Sequence, residues 1–323
     1  MSKNPELIAH QEWLGYVQPV GLVVSTPALL AAQAYVNKNI IPEHQRFLEC
    51  VEPTGDDAVL TVTDLPGFLQ EVLGWQAQDL ISGDSLESLE VVLPEYGETL
   101  RPTYAVKEYE PEDPAHPWLM LIQTVPNGAN LNAVLETDDH KWQASPHAHF
   151  ERLLRETKVP IGLLFNGTHF RLVYAPRGET SGYATFCVKE MAEVSGRPIF
   201  AAFHMLLSTE RLYSVGRKQQ LPALLAESRK YQNLVSTQLS EQVLHSLYEL
   251  LRGFQAADDV AHGELLRQVL REDPNHVYAG LLNVLLRMVF ILYAEDRGLM
   301  PGHPVYTNHY AINGLFEDRK SVV

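Results

Sequence analysis

The chain is poor in cysteine and has fewer basic than acidic side chains. Its two cysteines, Cys50 and Cys187, form neither a CxxC pair nor a disulfide framework, so reduced thiols are expected. Its 25 lysines and arginines against 40 aspartates and glutamates give a formal net charge of −15. This balance argues against a general nucleic-acid binder, whose surface is normally basic. A secretory leader is also lacking, which favours a cytoplasmic location.

Long hydrophobic runs and internal repeats are lacking as well. The apolar run Leu281–Tyr293 is interrupted by Arg287 and followed by Glu295, and it is shorter than the about 20 residues that a membrane span needs. No association with a membrane is therefore expected. The length of 323 residues allows two domains.

The excess of acidic charge lies in the first two thirds of the chain. Residues 1–209 hold 13 basic and 27 acidic side chains, a balance of −14, whereas residues 210–323 hold 12 and 13, a balance of −1. The second part can therefore present a basic face. Such a face permits contact with DNA without requiring it.

Hydrophobic periodicity predicts an α+β fold, in which a mixed-sheet domain is followed by an all-helical domain. A helix is predicted at Leu65–Gly74, and an Asn-Gly pair at Asn166-Gly167 predicts a hairpin. A helix from Ser145-Pro146 to Arg155 separates the third and fourth strands. The predicted strands are Leu89–Leu93, Tyr104–Tyr109, Trp118–Val125, Ile161–Phe165, Phe170–Tyr174 and Tyr183–Val188, and the later helices are 199–208, 221–253, 262–272 and 274–297.

These elements predict three segments. Residues 1–58 form an N-terminal extension of uncertain structure with one short helix at Pro27–Val36. Residues 59–197 form the mixed-sheet domain, and residues 198–323 form a helical connector domain. The boundary between the last two is expected between residues 195 and 220.

The segment Asn275–Pro301 carries the strongest local signal. Asp273 and Pro274 predict the start of a helix, and Gly298 predicts its end. Because this helix is apolar nearly all round, it is expected to be buried in a larger assembly of helices. Its charged end, Glu295-Asp296-Arg297, is either a capping and salt-bridge device or a feature that recognises a neighbour. The first role is the more common one.

The same segment carries a resemblance. The stretch LLRMVFILYAEDRGLMP, followed by VYTNHYAINGLF, resembles the region ahead of the methyltransferase domain in large bacterial adenine-specific DNA methyltransferases. These are the type IIG restriction–modification enzymes and their relatives in phage-defence systems such as DISARM and BREX. The resemblance covers residues 60–317. It implies that the chain is the N-terminal region of such an enzyme, with DNA and a methyltransferase domain or defence-system subunits as partners.

The reaction implied by this family is methyl transfer from S-adenosylmethionine to adenine. It requires a glycine-rich loop for the cofactor and an (N/D)PP(Y/F) tetrapeptide for the flipped base. The sequence contains neither, since Asp273-Pro274-Asn275-His276 lacks the second proline and the aromatic residue. No cofactor is therefore expected in this chain. The catalytic part either follows in a longer protein or is a separate chain.

The strand–helix–hairpin order, with IGLLFNGTHFRLVY, is similar to the PD-(D/E)xK nuclease fold. In that fold two carboxylates hold a divalent metal and a lysine positions the attacking water. The matching positions here are Thr103, Gln123 and Val125. None of them supplies a charge, so a degenerate site without metal and without cleavage is expected. An active magnesium-dependent nuclease remains the alternative, with the nearby acids Glu90, Glu95, Glu98 and Glu108.

Seven basic side chains are candidates for contact with a DNA backbone: Arg152, Arg155, Lys158, Arg171, Arg177, Arg229 and Lys230. The first five lie within 26 residues of an otherwise acidic region. Pairing with Glu151, Glu156 and Glu179 is the more common explanation of such a cluster. The polar stretch Glu227–Asn233 is expected to be a solvated face or a seam against a partner. An acidic protein-interaction scaffold with no DNA role remains a further alternative.

The pair His147 and His149 has a spacing found in some metal sites. On a helix, however, residues two apart point in different directions, and no third ligand is near in the sequence. Capping and surface roles are therefore expected for both.

Overall fold

The computed structural model describes residues 4–21, 23–55, 57–111, 113–134, 142–296, 299–300, 303–312 and 314. It divides into two compact units, Met1–Asn233 (unit 1) and Leu234–Val323 (unit 2). Unit 1 contains the sheet and unit 2 is helical. The predicted α+β class is confirmed.

A six-stranded mixed sheet forms the centre of unit 1. Its strands lie in the order β1 (Val20–Gly21), β10 (Gly182–Cys187), β9 (His169–Tyr174), β8 (Ile161–Phe165), β7 (Trp118–Thr124) and β6 (Tyr104–Lys107). Only β7 and β8 pair in parallel. Parallel neighbours need a crossover, and α5 (Pro146–Thr157) provides it. The predicted helix between the third and fourth strands of the sheet is thus confirmed.

Two short hairpins lie outside this sheet. One pairs β2 (Glu52–Thr54) with β3 (Val59–Thr61), and the other pairs β4 (Val91–Leu93) with β5 (Glu98–Leu100). The predicted strand Leu89–Leu93 was therefore wrongly assigned to the mixed sheet. Its partner β5 was missed because Glu98 and Thr99 give that strand no apolar alternation.

The β8–β9 hairpin forms as predicted around Asn166-Gly167. The Asn166 side-chain oxygen accepts hydrogen bonds from the backbone N–H groups of Thr168 (3.1 Å) and His169 (2.7 Å). Gly167 has φ +82°, which favours glycine because a side chain would be strained there. The Asn-Gly pair therefore sets the turn by its own local chemistry.

Helices cover one face of the sheet with a large apolar core. They are α1 (Pro5–Val17), α2 (Thr26–Ala31), α3 (Ile41–Glu49), α4 (Leu65–Leu73), α6 (Val188–Ala192) and α7 (Arg197–Leu207). Phe68 of α4 stacks on Phe170 of β9, with ring centroids 4.8 Å apart, and Phe170 contacts Phe203 of α7 at 5.0 Å. Trp13 and Phe47, both fully buried, belong to the same core. The predicted N-terminal extension is thus part of unit 1.

The division between the units falls later than the predicted domain boundary. Phe203 of α7 is fully buried in the sheet core, and so are Leu221, Leu224 and Leu225 in the first turns of α8 (Leu221–Val260). Burial of these side chains keeps residues 198–233 with the sheet.

Helix α5 packs on the opposite face of the sheet. Its buried Phe150, Leu153 and Leu154 form a second core with Leu121 and Leu164 of the strands. Gly162 of β8 lies directly beneath the helix, where an added Cβ would stand 2.5 Å from the Phe150 ring. The missing side chain allows the helix and the strand to approach closely.

Unit 2 contains the later part of α8 together with α9 (Arg267–Glu272), α10 (Pro274–Asp296) and α11 (Pro304–His309). The expectation that α10 is buried all round was wrong for the part of the chain that the structure describes. Leu281, Leu285 and Ala294 are buried, but Phe290 is 69% exposed. The described helices are too few to cover every face of α10.

The prediction about the length of the apolar run also needs correction. The run is part of a longer helix, and Asn275–Glu295 is long and apolar enough to cross a membrane by these two criteria alone. The sequence argument counted only Leu281–Tyr293, whereas the apolar stretch of the helix begins at Asn275. Core helices of soluble proteins meet the same two criteria.

The charged end of α10 acts within the chain. A Glu295 carboxylate oxygen accepts hydrogen bonds from the Tyr306 hydroxyl (3.0 Å) and the Ile312 backbone N–H (2.8 Å). Glu295 thus binds the segment that follows α10 in the same chain, and the capping role stays a prediction. Arg297 and Gly298 lie outside the described residues.

Candidate functional site

The three nuclease-like positions come together where β6 begins and β7 ends. Tyr104 pairs with Ile122, so Thr103 lies opposite Gln123 in the same register. The Thr103 hydroxyl accepts a hydrogen bond from the Thr124 backbone N–H at 2.9 Å. Gln123 and Val125 are among the described residues that line a cavity of about 260 Å³, and Thr103 is not. The arrangement places a hydroxyl, an amide and an apolar side chain where the resembled fold has two carboxylates and a lysine.

The ionisable residues among those that line this cavity are Glu98, Arg101 and His149. Glu98 Oε2 and His149 Nε2 lie 3.9 Å apart, and both atoms are buried without a hydrogen-bond partner among the described residues. No group of three or more histidine, cysteine, aspartate or glutamate side chains is placed to hold a metal in the described part of the chain. The cavity therefore does not offer the ligand set of a magnesium site.

The two histidines of α5 point to different neighbours. The His147 ring contacts the Tyr183 ring at 4.6 Å, whereas the His149 ring contacts the Trp142 ring at 4.7 Å. Both side chains are mostly buried, so the predicted surface role was wrong. Burial, assisted by the positive charge of Arg171, lowers the pKa of His147 from 6.5 to about 4. His147 is therefore neutral at physiological pH.

Two of the candidate DNA contacts are structural side chains of the domain. Arg171 is 4% exposed, donates to Thr185 Oγ1 (2.9 Å) and Asn132 Oδ1 (2.7 Å), and lies over the Tyr183 ring. Arg152 pairs with Glu95 at 2.7 Å and keeps part of its side chain exposed. Arg171 has no exposed surface for a phosphate, because β9 places it beneath the segment that holds Asn132.

Three of the other candidates meet at the connection between β9 and β10, Pro176–Ser181: Arg177 lies in it, and Arg155 and Arg229 bind it, while Lys158 and Lys230 are close to these two in the sequence. The Ala175 backbone N–H donates to the Pro160 carbonyl at 2.8 Å, which aligns the end of α5 with this loop. Lys158 lies two residues before Pro160, and Arg177 lies two residues after Ala175. Both side chains are exposed. We call this group the basic loop cluster. Its members are Arg155, Lys158, Arg177, Arg229 and Lys230.

Helices α5 and α8 both bind this loop. Arg155 of α5 donates to the Glu179 carbonyl at 3.0 Å. Arg229 of α8 pairs with the Glu179 carboxylate and donates to the Thr180 carbonyl. Arg229 is 6% exposed, while the neighbouring Lys230 is exposed and pairs with Glu227 at 3.0 Å. The cluster thus presents three exposed cations above two guanidinium groups that are wholly or partly buried.

The polar stretch of α8 was wrongly expected to be a solvated face. Ser228 is fully buried and Arg229 nearly so, because their partners belong to unit 1 itself. The Ser228 hydroxyl accepts from the backbone N–H of Ser25, and Arg229 binds the β9–β10 loop. The stretch is a polar seam within the chain.

The sequence analysis missed a larger cavity of about 760 Å³ elsewhere in unit 1. The rings of Tyr109 and Tyr213 stack there with centroids 4.0 Å apart, and the Tyr109 hydroxyl donates to the buried Asp79 at 2.8 Å. Burial raises the pKa of Tyr213 far above its ordinary value. The triplet Glu108-Tyr109-Glu110 was its only sequence signal. The cavity is lined by Glu108, Glu110 and Asp113 and by Arg217, which pairs with Glu110 at 3.5 Å, so acidic residues outnumber basic ones and do not favour a DNA backbone.

Comparison with known proteins gives one match. A protein-family model described as "MmeI, N-terminal domain" matches residues 47–253, more than half of the chain. No curated protein and no solved structure matches. The matched residues include the six-stranded sheet from β6 onward, both cavities and the basic loop cluster. The chain therefore belongs to the MmeI N-terminal domain family, the N-terminal region of type IIG restriction–modification enzymes.

Proposed function

We propose that this region holds duplex DNA through the basic loop cluster, for methylation by a methyltransferase part, and that it does not itself cut DNA. One observation carries the proposal. In a chain with a net charge of −15, Arg155 and Arg229 both bind the loop that contains Arg177, and Lys158 and Lys230 are close to them in the sequence. Such a local positive field attracts the phosphate backbone even when the whole protein is acidic.

The exposed members of the cluster suit contact with phosphate. Lys158, Arg177 and Lys230 can reach outward on long side chains, and contacts of this type position DNA without reading its sequence. The competing pair of Lys230 with Glu227 is solvent-exposed. An exposed ion pair contributes only about 0–1 kcal/mol, so a phosphate can replace the carboxylate at small cost.

The absence of cleavage rests on Thr103, Gln123 and Val125. The acids named as alternatives do not converge on this place. Glu90 pairs with Arg101 at 3.0 Å, Glu95 pairs with Arg152, and Glu108 lines the larger cavity. Glu98 alone remains beside Gln123. A single carboxylate does not supply the ligands that a nuclease metal needs.

The methyl donor is proposed to bind elsewhere in the assembly. This sequence has no glycine-rich loop after a strand and no (N/D)PP(Y/F) tetrapeptide, so its residues do not fit S-adenosylmethionine. The proposed partners are a methyltransferase domain and, in a DISARM- or BREX-like phage-defence system, further subunits. A bacterial cytoplasm is the proposed location.

The proposal is tested by fluorescence anisotropy with a labelled DNA duplex at low salt. A triple variant, Lys158→Ala with Arg177→Ala and Lys230→Ala, should bind at least about tenfold more weakly than the wild type. The control triple, Lys38→Ala with Arg46→Ala and Lys189→Ala, removes the same number of exposed lysines and arginines elsewhere on unit 1. Equal losses for both triples would contradict the proposal. Absence of wild-type binding would favour the interaction scaffold.

A further inference from the structure

Glu179 is an acid at the centre of the basic loop cluster. Its carboxylate accepts from Arg229, and its backbone carbonyl accepts from Arg155 at 3.0 Å. The carboxylate itself is at the surface, since the Glu179 side chain is 51% exposed. A surface anion therefore covers a nearly buried guanidinium group.

The two guanidinium groups have unused donors at this place. Arg229 Nη1 and Arg155 Nε are buried and have no hydrogen-bond acceptor among the described residues. Arginine has five N–H donors and no acceptor, and a buried donor left unpaired costs about 1–3 kcal/mol. Arg155 also pairs with the Glu151 carboxylate at 2.7 Å, so Glu151 and Glu179 together still leave one buried donor on each guanidinium group without an acceptor.

We infer that Glu179 is a built-in substitute for phosphate. It covers an anion site formed by Arg155 and Arg229, and a backbone phosphate of bound DNA displaces it. This inference rests on the proposed DNA contact and adds to it a residue that lowers the affinity of the free protein. A phosphate carries more acceptor oxygens than a carboxylate and can pair with the unused donors.

The contacts around Glu179 allow its side chain to rotate away from Arg229 while the arginine side chains keep their positions. The loop residues Arg177–Thr180 are exposed. Arg229 remains held by the Thr180 hydroxyl, at 3.2 Å, and by the Tyr174 ring, whose centroid lies 5.6 Å from the guanidinium carbon. Displacement therefore requires only the rotation of one exposed side chain, and the site is preorganised for the incoming anion.

The test compares two variants with the same change of charge. Glu179→Gln should bind a DNA duplex about five- to tenfold more tightly than the wild type at low salt, because the competing carboxylate is removed. Glu156→Gln removes an exposed carboxylate near the end of α5 and should change the affinity less than about twofold. Adding Arg155→Gln to Glu179→Gln should abolish most of the gain, since half of the site is then missing.

The outcomes separate this inference from the proposed function. If the wild type binds DNA and the two glutamate variants are equivalent, the inference is overturned and the DNA contact stands. If neither the wild type nor Glu179→Gln binds DNA at low salt, both fail. Inorganic phosphate, titrated into Glu179→Gln, distinguishes the source of the anion. Tight binding of free phosphate without binding of the duplex would overturn the assignment to DNA.

Discussion

The hydroxyl of Ser228 accepts a hydrogen bond from the backbone N–H of Ser25, 203 residues earlier in the sequence, with an N–O distance of 3.0 Å. This bond joins the start of α2 to the first part of α8. The next residue along α8 is Arg229, which binds the β9–β10 loop. The N-terminal segment, α8 and the basic loop cluster are therefore connected through two adjacent side chains.

Replacing Ser228 by alanine should destabilise unit 1 by about 1–3 kcal/mol, because the Ser25 N–H would be buried without an acceptor. Urea unfolding followed by fluorescence measures this. Ser246→Ala is the matched control, because Ser246 is exposed on the same helix. Both substitutions raise the intrinsic helix propensity by the same amount. Equal stability of the two variants would show that the bond contributes nothing.

His147 should make the stability of the protein sensitive to acid. Its pKa is lowered to about 4 when folded, so the unfolded chain binds the proton more tightly. The stabilisation is present above pH 6.5 and is lost as the pH falls towards 4, by about 1–2 kcal/mol between neutral pH and about pH 5. The difference in the free energy of unfolding between the wild type and His147→Gln should therefore become smaller as the pH falls. Parallel stability curves for the variant and the wild type would contradict this.

Gly162 should not tolerate a side chain. Alanine there places Cβ 2.5 Å from the Phe150 ring and 2.9 Å from Leu154, and the displaced α5 should cost about 1–3 kcal/mol in thermal unfolding. Gly15, in the interior of α1, has no atom within 4 Å of an added Cβ. Gly15→Ala should be neutral or stabilise by up to about 1 kcal/mol. A destabilisation of the same size at both positions would refute the close approach of α5 and β8.

Supercoiled plasmid should remain intact when it is incubated with the protein and Mg²⁺ or Mn²⁺. The reason is that Thr103, Gln123 and Val125 supply neither the carboxylates nor the lysine of a nuclease site. Gel electrophoresis detects nicked and linear products. Cleavage that disappears in Glu98→Gln would restore the active-nuclease alternative.

The parts of the fold that sequence could predict are those with local signals. Pro66 and Gly74 bound α4, Ser145-Pro146 begins α5, and Asn166-Gly167 makes the β8–β9 turn. Each of these signals acts on its own few residues of backbone. The helix, the hairpin and the crossover between β7 and β8 were therefore predicted correctly.

Long-range pairings could not be predicted in this way. Val20 pairs with Tyr183 in the sheet, and Phe47 packs in the same core as Phe200. The local sequence around these residues does not indicate which distant residue each one contacts. The exposed surface of α10 was missed for a related reason. Its apolar pattern predicts that the helix packs against other elements, but it does not predict which elements these are.

The candidate site shows the same limit. The cations of the basic loop cluster were visible in the sequence, but the burial of Arg171 and Arg229 depends on partners such as Asn132 and Glu179, 39 and 50 residues away. Charge alone does not distinguish a solvated arginine from one that binds a loop. The strands that contain or flank Thr103 and Gln123 were predicted from their local apolar patterns, whereas the pairing of β6 with β7 was not predicted.

The most direct test of the account is the salt dependence of wild-type DNA binding. If the exposed cations of the basic loop cluster contact phosphates, the logarithm of the association constant should fall linearly with the logarithm of the salt concentration. The slope should be about −3, because each of about three contacts contributes about −0.9. The triple variant of Lys158, Arg177 and Lys230 should lose most of that slope. No binding at low salt, or binding that does not change with salt, would contradict the account.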